Sequence, residues 1–387
     1  MINLAVLTAT RAEYGLMRQL IFKMRDDPEI NLSLLVTGTH LSESFGMTVQ
    51  EIVSDNVPIT ACIEILMEEN GEVNVPVTMG NALIKFSDFF SENKFDFLFV
   101  DGDRYETLAV CIAAVNNNIP IAHCGGGATT EGANDEYWRH AITKLSYLHF
   151  PTMEIYKKRI IRMGEEPSRV CVSGSPGLEN IRVMEMADKS AIEDRVKMSL
   201  DKPYALVTFH PVTLEEGTSK FQTMELLKAC ELTTDMKFIF TKANADSDGE
   251  IINKSLEEYT TSHKNSSVCV SSLGAYYYLS AMKYCEFVIG NSSSGLIEAP
   301  SFGIPTINIG DRQKGREKAE SVIDCKPVTE DICLAIKKAR VMSFREKCKK
   351  AINPNGDGYA SERIISKIKE VYNSGNLSMK KTFYDAN

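Results

Sequence analysis

Short apolar runs alternate with amphipathic stretches along almost the whole chain, the pattern of parallel strands with helices packed on both faces of each sheet. In the first half the apolar runs Asn3–Thr8, Leu32–Val36, Phe95–Asp101, Ile119–Cys124, Tyr147–Phe150 and Val170–Ser173 predict strands. The stretches between them, Glu13–Arg25, Asn74–Ser91, Tyr105–Asn116 and Met153–Met163, carry helical spacing. After Gly174-Ser-Pro-Gly177 and a charged stretch the alternation restarts. Its strands are Tyr204–Phe209, Lys237–Thr241, Val268–Val270, Phe287–Ile289 and Pro305–Ile309. A final helix, about Tyr359–Tyr372, precedes a polar tail, Ser374–Asn387, expected to fray. The pattern predicts an α/β protein of two Rossmann-like domains, 1–175 and 176–358, with 359–387 as a C-terminal helix and tail. No sequence repeat and no low-complexity segment interrupts it.

Composition narrows the partners more than the fold. At 387 residues the chain has room for two domains. A net charge of −9 and a pI near 5.4 argue against a nucleic-acid partner. A small anionic ligand stays open, since local basic residues decide that. The ten cysteines are scattered without a C-x-x-C pair, which predicts reduced thiols and a cytoplasmic protein. Ile2–Leu7 reads as a first strand and not as a leader, with Arg11 close behind. No apolar run approaches the roughly 20 residues of a membrane span.

Polar clusters recur at predicted strand ends, where parallel sheets bind ligands. They are Thr8–Tyr14, Thr37–His40, Asp101–Arg104, the stretch from His123 to Lys144, His210–Thr213, Lys242–Asp246, Gly290–Gly295 and Gly310–Arg316. Eight such clusters on two sheets make an interdomain cleft the expected site. In the His123–Lys144 stretch three glycines follow a strand, and a helix begins at Asn134 or Asp135, with Asp135 facing Arg139 and Glu136 facing His140. A plain glycine turn with surface ion pairs accounts for the same pattern. Gly290-Asn-Ser-Ser-Ser-Gly295 leads into Leu296-Ile-Glu-Ala299, so backbone N–H groups and serine hydroxyls at a helix start are suited to a diphosphate. An ordinary serine N-cap would look alike. Glu298 stands one turn on, placed either to accept from ribose hydroxyls or to lie solvated on the helix. Arg11, Arg104, Arg312 and Arg316 are candidate phosphate partners, since the guanidinium fork suits that geometry. Asp101, Asp103 and Asp135 offer carboxylates for acid–base work, or Asx turns. His210 ends an apolar strand before Pro211. Neither a dinucleotide fingerprint nor a P-loop is present, and histidines and cysteines show no metal-ligand spacing. No cofactor and no metal is expected.

Taken together, TATRAEYG at 8–15, GDRYE at 102–106, TEGANDEYWRHAITK at 130–144, FHPVT at 209–213, GNSSSGLIEA at 290–299 and GDRQKGR at 310–316 resemble the hydrolysing UDP-N-acetylglucosamine 2-epimerases, including those of bacterial sialic-acid synthesis. The resemblance implies a glycosyltransferase-B type fold with the two domains facing a cleft. It implies conversion of UDP-GlcNAc and water to ManNAc and UDP, by elimination to a 2-acetamidoglycal and hydration. Carried over by motif, Asp103, Asp135 and His210 would be catalytic, with Glu131 as the nearest acid to substitute for a glutamate the family has and this chain lacks. Arg11, Arg104, His123, Asn244, Ser292, Ser293, Gly295, Glu298, Arg312 and Arg316 would hold the UDP-sugar. A homo-oligomer, dimer or tetramer, is also implied.

One departure stands out. The family commonly reads His-Ile-Glu-Gly-Gly-Glu or His-Ile-His-Gly-Gly-Glu where this chain has His123-Cys-Gly-Gly-Gly-Ala128. The functional glutamate therefore matches Gly125 or Ala128, and Glu131 is the nearest acid. Three readings stay open here: turnover on UDP-GlcNAc, the same chemistry on a UDP-2,4-diacetamido-2,4,6-trideoxyhexose for legionaminic acid, and UDP-sugar binding with little turnover. A glycosyltransferase shares the fold but is disfavoured by the GDRYE and RHAITK motifs.

Overall fold

The computed structural model of the protein describes every residue except 70–71, 131–133, 213–216, 244–248 and 387. The chain forms two compact units, Met1–Ala128 with Asn134–Arg182 and Asn355–Asn387, and Thr129–Ala133 with Val183–Pro354.

In the first unit β1 (Ile2–Thr8), β2 (Ile30–Thr37), β3 (Ile59–Ile63), β6 (Phe97–Asp101), β7 (Ile121–Cys124) and β8 (Leu148–Phe150) form one sheet. Its order is β3-β2-β1-β6-β7-β8, and all its pairs are parallel. A short antiparallel pair, β4 (Glu68–Glu69) and β5 (Glu72–Val73), stands apart. Side chains alternate across a strand, so β1 sends Leu4 and Val6 into one core and Ala5 and Leu7 into another. Both faces being covered explains why the central strands read as unbroken apolar runs.

The second unit repeats the arrangement. β9 (Tyr204–Thr208), β10 (Lys237–Thr241), β11 (Ser267–Val270), β12 (Phe287–Gly290), β13 (Thr306–Ile309) and β14 (Val322–Cys325) are ordered β11-β10-β9-β12-β13-β14, again all parallel. In each sheet the order reverses beside the first strand, at β1/β6 and β9/β12. These are the switch points where α/β sheets bind ligands.

Three differences from the pattern have physical causes. Val170–Ser173 forms no strand and keeps only a bridge between His149 and Val170. Cys171 N donates to His149 O and Ser173 N to Pro151 O, but Pro151 has no N–H with which to extend a ladder. The edge strands β3 and β14 escaped the apolar-run criterion because β3 has no fully buried residue and β14 only Ile323. The tail beyond the last helix is not simply frayed, because Lys381, Phe383 and Tyr384 contact the body of the first unit. The last helix, Ala360–Asn373, also joins that unit. Its Ile364, Ile365 and Ile368 enter the core shared with Leu4 and Val6, each burial worth about 1.5–3 kcal/mol.

Candidate functional site

The first cluster is built where β1 and β6 end. Thr10 caps the helix Arg11–Asp26, accepting from Glu13 N at 3.3 Å. Glu13 folds back to accept from Ala9 N at 2.7 Å, as a variant of the capping box. Its other oxygen is buried without a partner. Burial, with Glu106 and Asp101 nearby, pushes the Glu13 carboxyl up to about 8. Burial likewise raises Asp101 to about 7, against a hydrogen bond from the Cys124 thiol. Arg104 donates from Nε to the buried Glu106 at 2.5 Å. Burial opposes the Arg104 charge, yet Glu106 holds its pKa above the ordinary value. Two carboxyls are therefore poised to hold or release a proton near neutral pH, beside a guanidinium that stays charged.

The helix Asp135–Leu145 completes this cluster. Arg139 is almost fully buried and reaches Asp103 with Nε at 2.9 Å and Nη2 at 2.5 Å. Its Nη1 donates to Glu136 at 2.7 Å and to Ala128 O at 2.9 Å. The expected pairing of Glu136 with His140 is present at 3.0 Å. Asp135 is raised by burial and by the neighbouring Asp103, with Arg104 and Arg139 pulling the other way. Removing Asp103 would leave the buried Arg139 guanidinium with Glu136 as its remaining carboxylate partner, so Asp103 helps hold Arg139 in place.

His123 is buried on β7, 2.8 Å from Gly102 O through Nε2 and 3.5 Å from Thr143 Oγ1 through Nδ1. Burial lowers its pKa to about 4, so it stays neutral and locks the turn between Asp101 and Asp103. After it, Gly125 and Gly127 have φ of +85° and +77°. A Cβ on Gly126 would stand 2.9 Å from Thr143 Oγ1, and one on Gly127 2.5 Å from Tyr156 O. Within 125–128 only Ala128 combines a side chain with φ outside the positive region. The backbone therefore favours position 128 over 125 as the place for an acid.

The second cluster lies where β9 and β12 end. Asn291 binds His210 on both sides: its Oδ1 accepts from His210 N at 2.7 Å and its Nδ2 donates to His210 O at 2.8 Å. Arg312 Nη1 and Gln313 Nε2 both donate to Asn291 O, at 3.1 and 2.8 Å. Burial, with Arg312 near, lowers His210 to about 4, and its Nδ1 is buried without a partner. Gly290, at φ +140°, leaves no room for a side chain, since a Cβ would meet Thr208 O at 1.9 Å.

Hydroxyls follow in a row. Thr208 contacts Tyr278, Tyr278 contacts Ser294 at 2.6 Å, and Ser294 donates to Ser292 at 3.2 Å. The expected helix here is only Ser294–Ile297, continued as the 3-10 turn Ala299–Phe302 after Glu298. One turn carries little aligned dipole, so hydroxyls and arginines, more than a helix field, suit this corner to an anion. Gly295 admits the close approach of β13, where a Cβ would meet Thr306 Cγ2 at 2.7 Å. Burial raises Glu298 to about 7, and one of its oxygens has no partner. Arg316 donates to Thr130 Oγ1 at 3.3 Å in the same unit.

Of the residues singled out by sequence, Asp103, Arg104, His123 and Asp135 gather in the first cluster, with Arg11 opening the helix that carries Glu13. His210, Ser292, Ser293, Gly295, Glu298 and Arg312 gather in the second. Glu131 and Asn244 lie outside the described residues. Glu13, Glu106, Tyr278 and Asn291 were not singled out, and Arg139, expected to face Asp135, bonds Asp103 and Glu136. The Thr10-x-x-Glu13 spacing is a capping-box signal that could have found Glu13. Nothing local marks Tyr278. Among the described residues no group of three or more His, Cys, Asp or Glu could hold a metal, and no helix is long and apolar enough to cross a membrane.

Known proteins match over nearly the whole chain. A polysialic acid biosynthesis protein P7 of Escherichia coli is 39% identical over 98% of this chain and 96% of its own. A GDP/UDP-N,N'-diacetylbacillosamine 2-epimerase (hydrolyzing) of Campylobacter jejuni is 39% identical over 89% of both chains. A UDP-N,N'-diacetylbacillosamine 2-epimerase (hydrolyzing) of Legionella pneumophila is 34% identical over 94% of both. The crystal structure of the Neisseria meningitidis UDP-GlcNAc 2-epimerase bound to UDP-GlcNAc superposes with a TM-score of 0.80, covering 96% of this chain and 100% of that one at 19% identity. That likeness agrees with a glycosyltransferase-B type fold. The family model for UDP-N-acetylglucosamine 2-epimerase matches residues 23–369, and the chain belongs to that family.

Proposed function

We propose that the protein is a hydrolysing 2-epimerase that converts UDP-GlcNAc and water to ManNAc and UDP. Family membership over residues 23–369 carries the reading, and the chemistry of the two clusters agrees with it. A base at the first cluster takes the weakly acidic C2 proton while UDP leaves C1, giving a 2-acetamidoglycal that water then hydrates. Asp103 and Asp135 are the carboxylates assigned to the sugar, and Arg11 and Arg104 stabilise the charge that builds on departing UDP. Ser292, Ser293, Arg312 and Arg316 hold the diphosphate, Glu298 accepts from ribose hydroxyls, and His210 donates to or accepts from the sugar nucleotide. Asn244 and His123 support the bound nucleotide sugar and the Asp101–Asp103 turn respectively.

A second substrate is favoured by a specific observation. The Campylobacter and Legionella relatives act, by name, on a UDP-linked N,N'-diacetylbacillosamine. The chemistry at C1 and C2 is the same for both sugars. Incubation with each UDP-sugar in turn, without an acceptor, separates them. Free ManNAc from UDP-GlcNAc is the expected product. Release of the 2-epimer only from the diacetamido sugar moves the assignment to it, and saturable binding of both without any free sugar would overturn the enzymatic reading.

A further inference from the structure

The C-terminal tail carries a contact that the site chemistry leaves unexplained. Lys381 follows Lys380 on a polar segment, yet all three of its own N–H groups find acceptors. Its Nζ lies 2.6 Å from Glu165 Oε2, 2.8 Å from Lys144 O and 2.7 Å from Ser146 O. Lys144 and Ser146 are the last turn and the C-cap of the helix Asp135–Leu145, where carbonyls lack helical partners and a cation is favoured. Nearby, Phe383 lies over Gly164, where a Cβ would come within 2.3 Å of its ring, and Tyr384 N donates to Gly164 O at 2.9 Å. The Lys144 ammonium stands 5.1 Å from the centre of that ring. The tail is thus clamped at consecutive points.

Glu165 is the hub. It is fully buried and also accepts from Lys144 Nζ at 2.6 Å and from His149 Nε2 at 3.0 Å. Burial opposes its charge, but these three partners outweigh it and hold the carboxyl near 2. His149 stands on β8 in register with His123 on β7, and His123 holds Gly102 O between Asp101 and Asp103. Two routes therefore lead from Lys381 to the Asp103–Arg139 pair: along the helix Asp135–Leu145, and across the paired histidines.

We propose that Lys381 is a positioning residue that fixes the C-terminal end of the helix Asp135–Leu145, and so the placement of Arg139 and Asp135 for the reaction. The kinetic part rests on the epimerase reading; the spectroscopic part does not. Two variants test it: Lys381→Met in the otherwise unchanged chain, and a chain truncated after Met379, which keeps Leu377 against the core. Both should lower kcat about tenfold with KM for the UDP-sugar changed less than about twofold, since misplacement of catalytic groups costs turnover more than binding. Burial keeps the pKa of His149 below the ordinary value, with Lys381 and Lys144 adding to that and Glu165 opposing it. His123 is its other titratable neighbour, and Arg169 faces Lys381. Removing the Lys381 ammonium takes a positive charge from beside His149, so its pKa, followed by NMR, should rise. Amide exchange at residues 143–146 should quicken in parallel. Unchanged kcat together with unchanged His149 titration in both variants would overturn the proposal, as would equal losses of kcat and thermal stability without a His149 shift. Should the parent turn over neither UDP-sugar, the epimerase reading fails alone, and an unshifted His149 with unchanged exchange still overturns the clamp.

Discussion

Each unit sets a glycine-bearing strand end against its site, and the two corners are built for different work. At His123–Ala128 the glycines bring the backbone close to Thr143 and Tyr156, and the corner opens onto carboxylates and guanidinium groups. At Gly290–Gly295 the close approach is to Thr208 and Thr306, and the corner opens onto hydroxyls, an amide and Arg312. Buried acids raised to about 7 and about 8 suit the first to moving protons. The second corner also holds one raised acid, Glu298 at about 7, but its row of hydroxyls and Arg312 suit it chiefly to holding charge. The same local device, glycine after a buried strand, therefore says that something approaches closely, and the surrounding ionisable groups say what is done there.

The sharpest way to break the contrast is to restore an acid to the first corner. Ala128→Glu is expected to raise kcat by roughly 10²–10⁴-fold, the usual worth of a general acid or base, with UDP affinity unchanged. The companion variant Glu131→Gln should have little effect. A parent that is already fast, and is abolished by Glu131→Gln, would make Glu131 the working acid and refute the expectation.

The second corner should respond in binding instead. Replacing Ser292 and Ser293 together by alanine removes two hydroxyl donors and the acceptor for Ser294. UDP affinity measured by calorimetry should fall roughly 10- to 100-fold, as for loss of hydrogen bonds to a charged group. Unaltered affinity would take the diphosphate away from this loop.

The smallest effect concerns stability and sharpens the electrostatic side of the comparison. A Glu13 carboxyl raised to about 8 binds its proton more tightly in the folded protein than in the unfolded chain. Its contribution is fully present below the ordinary carboxyl pKa and is lost as pH rises through about 8. Glu13→Gln keeps the acceptor for Ala9 N but cannot ionise. Urea unfolding of both proteins at about pH 5 and about pH 9 should therefore show the variant gaining on the parent as pH rises, by on the order of a few kcal/mol at most. Parallel stabilities at the two pH values would mean that Glu13 is not held protonated.

The chain by itself determined the two parallel sheets, because strands buried on both faces must be written as continuous apolar runs such as Ala205–Phe209. It also marked the strand ends where the candidate site residues gather, since polar loops and glycine turns have local signatures. Edge strands were less legible: β3 fully buries none of its residues and β14 only Ile323, so neither forms an unbroken apolar run. Only tertiary structure decided that Arg139 turns to Asp103, 36 residues away, as well as to Glu136 on its own helix. It alone raised Glu13 and Asp101, because desolvation depends on what is packed over a carboxyl and not on its neighbours in sequence. It alone seated Lys381, since a lysine in a polar tail reads as solvated until three acceptors from distant segments converge on it.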